Sequence, residues 1–198
     1  LNFKPIHSEI PIYIASNSPM GLRAGGRVAD GVIASSCAND ATVGYIKSQV
    51  SKGASSANRD LSNIEIVSRL NCCISSDSQA ARQPLRRTVV QTLIAYTGFA
   101  VESGVEFPAS LKTMLEDTGY THDPETLDTL ARDLPDSFID IFTLAGTVEE
   151  VADRVIKLAG SGVTHIMVRP LAPPDGTMED TLEAFATQVM PRVRDLSS

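Results

Sequence analysis

The sequence predicts an α/β protein built on parallel β-sheet, with about four strand–helix units in succession over a single domain of residues 1–198. Two observations carry this. Short runs of β-forming residues recur, each followed by a polar loop with helix-start chemistry, and the helical stretches between them are long enough to cross back over a sheet. A third observation sets the limits of the pattern: from about Pro84 to Phe142 the rhythm breaks into short helical pieces, which reads as a helical insertion before the last strand.

The first unit begins with Pro11-Ile-Tyr-Ile-Ala15, a short strand. Ser18 is suited to cap a helix and Pro19 to its first turn, where a missing N–H costs nothing. Asp30-Gly31 ends that helix. Val32-Ile-Ala34 is a second buried strand, followed by a polar loop from Ser35 to Asp40 and a helix through about Lys52. The third strand spans about Ile64 to Ile74, and Ser76-Asp77 precede the next helix. After the insertion, Thr147-Val-Glu-Glu150 forms a capping box in front of an amphipathic helix with Val151, Val155 and Leu158 on one face. His165-Ile-Met-Val168 is the fourth strand, Arg169 to Gly176 a proline-stiffened loop, and Thr177 to about Val189 the last helix.

Four such units amount to half of an eight-stranded barrel, whose open edges would invite association. Together with the start at Leu1, this predicts a fragment, or a chain that folds against a missing amino-terminal half-barrel or as a homo-oligomer.

Composition narrows the function classes. At 42% hydrophobic and 21% charged residues the chain can build a core. A formal charge of -7, with no basic cluster interleaved with aromatics, argues against nucleic acid as a partner. No apolar run approaches the roughly 20 residues of a membrane span, and no signal-peptide pattern opens the chain. Cys37, Cys72 and Cys73 are odd in number, two of them adjacent, and lack metal-site spacing. They read as small buried residues in a reducing, cytoplasmic protein, with no metal.

The chemistry concentrates where strands give way to helices. Ala15, Ser16, Asn17, Ser18 and Pro19 follow the first strand, so backbone N–H groups and a helix dipole converge there on a point that favours an anion. Hydroxyl and amide side chains could add donors to a phosphate; the plainer alternative is that Ser18 only caps its helix. Ser35 and Ser36 occupy the second such loop. Arg169, at the end of the fourth strand, could meet an anionic substrate or simply pair with Asp175. His165 starts its strand at the opposite, stability end of a barrel, and His7 and His122 read as surface residues.

Pro11-Ile-Tyr-Ile-Ala-Ser-Asn-Ser-Pro19 followed by Gly26-Arg-Val-Ala-Asp-Gly-Val-Ile33 resembles a hallmark stretch of the luciferase-like superfamily. Phe142 to Arg154, Gly162 to Val168 and Leu182 to Arg192 are similar to its closing elements. Pro170-Leu-Ala-Pro-Pro-Asp175 is similar to the segment after the last strand in methylenetetrahydromethanopterin reductase-like members, which use coenzyme F(420). The resemblance is weakest from about Ser75 to Asp140, and Asn17 and Ser18 stand where a glycine is often found.

The resemblance implies the carboxyl-terminal half of a (β/α)8 TIM barrel and an oxidoreductase that moves hydride between the deazaflavin F(420) and an organic substrate. It places the cofactor's phosphate-bearing tail on Ala15, Ser16, Asn17, Ser18 and Pro19, and contacts to the substrate or the cofactor tail on Ser35 and Ser36, while Arg169 is a substrate candidate from its place at the end of the fourth strand. It leaves the catalytic residues in the other half. An FMN-dependent monooxygenase is the alternative chemistry. A non-catalytic half-barrel that binds or assembles with a partner is the alternative from another class.

Overall fold

Strand–helix alternation holds along the chain in the computed structural model, which describes residues 10–195. β1 (Tyr13–Ala15), α1 (Pro19–Val28), β2 (Gly31–Ser35), α2 (Asp40–Ser56), β3 (Glu65–Ile74) and α3 (Ser78–Glu102) form three successive units. Next come α4 (Ala109–Thr118), α5 (Pro124–Asp133) and α6 (Asp136–Phe142). The chain then returns to the sheet with β4 (Leu144–Gly146), α7 (Val148–Ser161) and β5 (His165–Pro170). α8 (Met178–Ala184) runs on through a π-helical turn into α9 (Met190–Asp195).

Every strand pairing is parallel. β1 pairs with β2 and β2 with β3, while β5 lies on the other edge of β3. The backbone bonds of β3 sort by parity. Arg69 and Ser75 bond toward Ser36 and Gly146, whereas Ile66 and Cys72 bond toward Thr164 and Leu171. β4 therefore continues the edge that β2 occupies lower down.

Side chains sort by parity too, because successive residues of a strand face opposite sides. Even-numbered Ile66, Ser68, Leu70, Cys72 and Ile74 are buried, facing the helical layer. On the odd face Val67 and Cys73 are buried, Glu65 and Asn71 are half-buried, and Arg69 is exposed. On β5 the pattern repeats: Ile166 and Val168 pack on the core while His165, Met167 and Arg169 are exposed. The odd face is the inner face of the barrel wall.

Three features depart from the sequence reading. β4 went unseen, so two strands rather than one follow the insertion, and His165–Pro170 is the fifth strand in chain order. Leu144-Ala-Gly146 is too short, and too poor in β-formers, to announce itself; it exists because β3 extends past the end of β2 and leaves Cys72, Cys73 and Ile74 to pair. Second, Pro84 does not open an insertion, since α3 passes through it and turns non-helical only at Tyr96 (φ -134°, ψ 34°). Buried Ala81, Leu85, Val89, Val90 and Leu93 hold the helix on the core and outweigh the lost N–H. Third, α2 runs past Lys52 to Ser56.

Arginines tie the inserted helices to the barrel wall. Arg82 and Arg154 both pair with Asp140, and Arg154 also donates to the carbonyls of Asp140 and Thr143, at 2.6 Å for the latter, capping the end of α6. Arg86 donates to the Ala131 and Leu134 carbonyls at the end of α5 and pairs with Asp136. α1 and α2 pack so closely that a Cβ on Gly26 would lie 2.1 Å from the Val50 carbonyl, and one on Gly53 2.0 Å from that of Arg23.

Candidate active site

At the carboxyl end of β1 the loop Ser16-Asn17-Ser18 is held by its own side chains. Ser18 Oγ accepts the Gly21 N–H at 3.1 Å and so caps α1, as the sequence predicts. Ser16 Oγ accepts the Ser18 N–H and lies 3.1 Å from Ser18 Oγ, placing two hydroxyls side by side over the helix start. Pro19 supplies no N–H, and that of Met20 finds no acceptor among the described residues. Two hydroxyls and the positive end of a helix dipole thus converge at one place.

Asn17 is 5% exposed, and both ends of its amide bond the backbone of Ser35: Nδ2 to the carbonyl at 2.7 Å and Oδ1 to the N–H at 2.8 Å. That geometry locks the loop after β1 to the end of β2. Asn17 is a positioning residue here, with one amide hydrogen left for any ligand.

Ala15, Ser16, Asn17, Ser18, Pro19 and Ser35 line a single cleft of about 470 Å³, closed on its other side by Ala95, Tyr96, Gly98, Phe99 and Glu102 of α3. The non-helical turn at Tyr96 lies on that wall. Phe99 meets Tyr45 edge-on at 5.7 Å, and Tyr45 donates to Glu102. Burial first, and the Glu102 carboxylate second, hold the Tyr45 phenol protonated well above the ordinary range.

Ser36 does not join this cleft. It is 4% exposed, sits in the left-handed region (φ 59°) and turns its hydroxyl toward Thr92 of α3, 3.5 Å away. The backbone reversal after β2 tucks it beneath α3, so the structure does not bring Ser36 together with Ser35 at the cleft. Arg169 is exposed on β5, beside Asn71 in register, two strands from Ser35 and not among the residues that line the cleft. Among the described residues it makes no ion pair with Asp175 or any other carboxylate.

At the opposite end of the inner face, Tyr13 donates to Glu65, whose carboxylate is 3.6 Å from His165 Nδ1. The hydrogen bond to Glu65 raises the Tyr13 pKa. His122 is exposed and meets Tyr120 Oη at 2.9 Å; His7 lies outside the described residues. The three cysteines are free and buried, and burial pushes the Cys72 thiol up to about 12 and that of Cys73 to about 11. Among the described residues no helix is long and apolar enough to cross a membrane.

Sequence reasoning missed Gly21, Tyr96, Arg69 and Asn71. Gly21 is legible only from the fold: a Cβ there would lie 2.2 Å from Ser16 Oγ, so glycine lets Ser16 fold over the helix start. Arg69 had a signal, a charge in the middle of an apolar strand run, and Asn71 repeats it two residues on.

A parallel sheet with helices over one face and the strand ends gathered around a cleft defines a barrel-type α/β protein, here about half of a luciferase-like (β/α)8 barrel. The family model described as luciferase-like monooxygenase matches residues 1–165, and the chain belongs to that family. It is 26% identical to 5,10-methylenetetrahydromethanopterin reductase of Archaeoglobus fulgidus over 98% of this chain and 57% of that protein. It is 22% identical to F(420)-dependent glucose-6-phosphate dehydrogenase of Microbacterium testaceum, over 94% of this chain and 49% of the relative. In structure it is similar to the coenzyme F(420)-dependent tetrahydromethanopterin reductase of Methanopyrus kandleri, with a TM-score of 0.76 at 22% identity over 93% of this chain and 51% of that one. The chain spans about half the length of these relatives.

Proposed function

We propose that this chain provides the cofactor-tail half of an F(420)-dependent oxidoreductase that moves hydride between the deazaflavin and an organic substrate. The observation that carries the reading is the cleft, where Ala15 to Pro19 and Ser35, separated by a whole helix in sequence, face one space. The donor set fits a phosphate. Ser16 and Ser18 offer hydroxyls, the start of α1 offers a backbone N–H, and Gly21 keeps the approach free of a Cβ. The lone carboxylate of the cleft, Glu102, is at the far wall and engaged by Tyr45.

When bound, the deazaflavin ring supplies the hydride carrier; the protein's part is to place it. Asn17 fixes the spacing between the first two strand ends, the serines and helix dipole hold the tail, and Ser35 carries the site toward the inner face. A volume of about 470 Å³ suits a phosphate-bearing tail. The ring and the proton-handling residues are assigned to a complementary half-barrel, or to a second copy of this chain. Apolar residues exposed near β1 and β5 support such a partner: Ile10 and Ile12 on one side, Met167, Met178 and Leu182 on the other.

Titration of the purified protein with F(420) and with reduced FMN, read by native mass spectrometry, tests both parts. Retention of the deazaflavin, weakened by Gly21→Ala, is the expected result. Preference for FMN by a wide margin moves the reading to a flavin monooxygenase, which the family description favours as the second reading. Retention of neither by any assembly state would reduce the chain to a non-catalytic assembly module.

A further inference from the structure

We propose that Arg69 and Arg169 form an anion subsite on the inner face of the sheet, next to the cofactor cleft, which grips an oxyanion of the substrate. The proposal rests on the oxidoreductase reading above and adds the class of substrate.

The parallel register puts Arg69 of β3 beside Met167 of β5, and Asn71 beside Arg169. Registered neighbours in a parallel sheet face the same side, and here that side is the open inner face, because the even-numbered residues of both strands face the helices. The two arginines therefore occupy the diagonal of a four-residue patch, with Cα atoms about 8 Å apart from a lateral spacing of about 4.8 Å and two residues of rise. Guanidinium groups on such flexible stems can converge on one oxyanion, and each presents a planar fork that suits carboxylate or phosphate.

Arg27, Lys52 and Lys157 on the helices lack a partner among the described residues, and so do Arg69 and Arg169, which are the pair set on the inner face of the sheet. Among the described residues neither side chain makes an ion pair or a hydrogen bond, whereas Arg82, Arg86 and Arg154 are each bound to a carboxylate and to backbone carbonyls or a hydroxyl. The protein is acidic, with 24 Asp and Glu against 17 Lys and Arg, so carboxylates are in excess, yet among the described residues none pairs with these two. On β3 the nearest carboxylate on the same face is Glu65, four residues below Arg69 and committed to Tyr13 and His165. Two permanent like charges on one face repel each other until an anion enters between them.

Their position ties the patch to the cleft. Ser35 is the register partner of Arg69 on the other edge of β3, and Ser35 also lines the space beside Ser16 and Ser18. Arg69 in the middle of β3 is level with Ser35, the last residue of β2, and Arg169 lies two strands from Ser35 near the end of β5. An oxyanion between them therefore sits toward the mouth end of β2 and β5, where barrel enzymes gather their reacting groups. Asn71, half-buried between them in register, offers an amide donor to the same oxyanion.

Isothermal calorimetry of the full chain with inorganic phosphate at low ionic strength tests this. The expected result is two sites per chain. Gly21→Ala should remove the site at the loop and leave the other. Arg69→Met or Arg169→Met should each weaken the second site at least tenfold and leave the loop site, with partial recovery in Arg69→Lys. Both arginines are exposed, so the variants should keep the wild-type thermal midpoint, which is measured alongside. A second site that survives both arginine replacements, or a single site that Gly21→Ala abolishes, overturns the subsite. Two sites unaffected by Gly21→Ala, one of them lost with the arginines, would overturn the reading of the cleft and leave the subsite standing.

Discussion

Replacing Asn17 by alanine should destabilise the protein far more than loss of a loop side chain ordinarily would. The side chain is 5% exposed and makes two bonds of 2.7 and 2.8 Å to the two backbone polar groups of Ser35. Each such bond contributes a net of about 1 kcal/mol, and a backbone N–H or C=O left unpaired in a half-buried place costs about 1 kcal/mol or more besides. The loss is then about 2–4 kcal/mol. For a chain of this size each kcal/mol lowers the thermal midpoint by about 2–4 °C, so a drop of about 4–16 °C is expected. Differential scanning calorimetry reads it directly. Asn17→Asp sharpens the test: the carboxylate can still accept from the Ser35 N–H but sets an oxygen against the Ser35 carbonyl, so it should fall close to alanine instead of close to wild type. A change under about 0.5 kcal/mol in either variant, the range of an ordinary surface substitution, would refute the claim that Asn17 couples the loop to β2.

Further outcomes follow from the same geometry. Gly26→Ala and Gly53→Ala should each destabilise by about 1–3 kcal/mol or more in urea unfolding, because their methyl groups would enter the backbone of the facing helix at 2.1 and 2.0 Å. Arg154→Met should loosen α6 from α7, seen as faster amide exchange at Asp140 to Thr143, since the guanidinium holds both carbonyls there. Glu150 has its pKa lowered, first by the Ser78 hydroxyl and then by the Thr147 N–H. Its stabilising effect is therefore full above the unfolded carboxylate value of about 4.3 and is lost as pH falls through the lowered folded value, so Glu150→Gln should flatten the fall in thermal midpoint between about pH 5 and pH 3. Cys37, Cys72 and Cys73 should resist a thiol reagent at pH 8 in the native protein and react together on unfolding, because burial raises all three thiols.

Much of the fold was legible because helix starts are local chemistry. Ser18, Asp77 and the Thr147–Glu150 capping box each cap the helix that the sequence assigns them. What escaped depends on distant chain. β4 is a strand only because β3 overruns β2, and α3 survives Pro84 only because its buried stripe is held by the core. The candidate site divides in the same way. Ala15 to Pro19 could be picked out as a loop at a helix start, but that Asn17 spends its amide on Ser35, that Ser36 turns under α3, and that Gly21 clears the approach are consequences of folding.

The inner face carries polar residues at both ends of the strands, and the two ends are treated differently. At the amino end, Tyr13, Glu65 and His165 come from three strands and satisfy one another, with Gly31 leaving room for the Tyr13 ring, whose nearest atom would lie 2.2 Å from a Cβ. Such a cluster stabilises the wall and asks for no ligand. Further along the wall, Ser35 comes from β2, Arg69 and Asn71 from β3 and Arg169 from β5, yet no acceptor among the described residues takes the two guanidiniums. The two ends of the wall thus differ in how their polar groups are satisfied among the described residues, and the proposed anion subsite falls where the charges are unpaired.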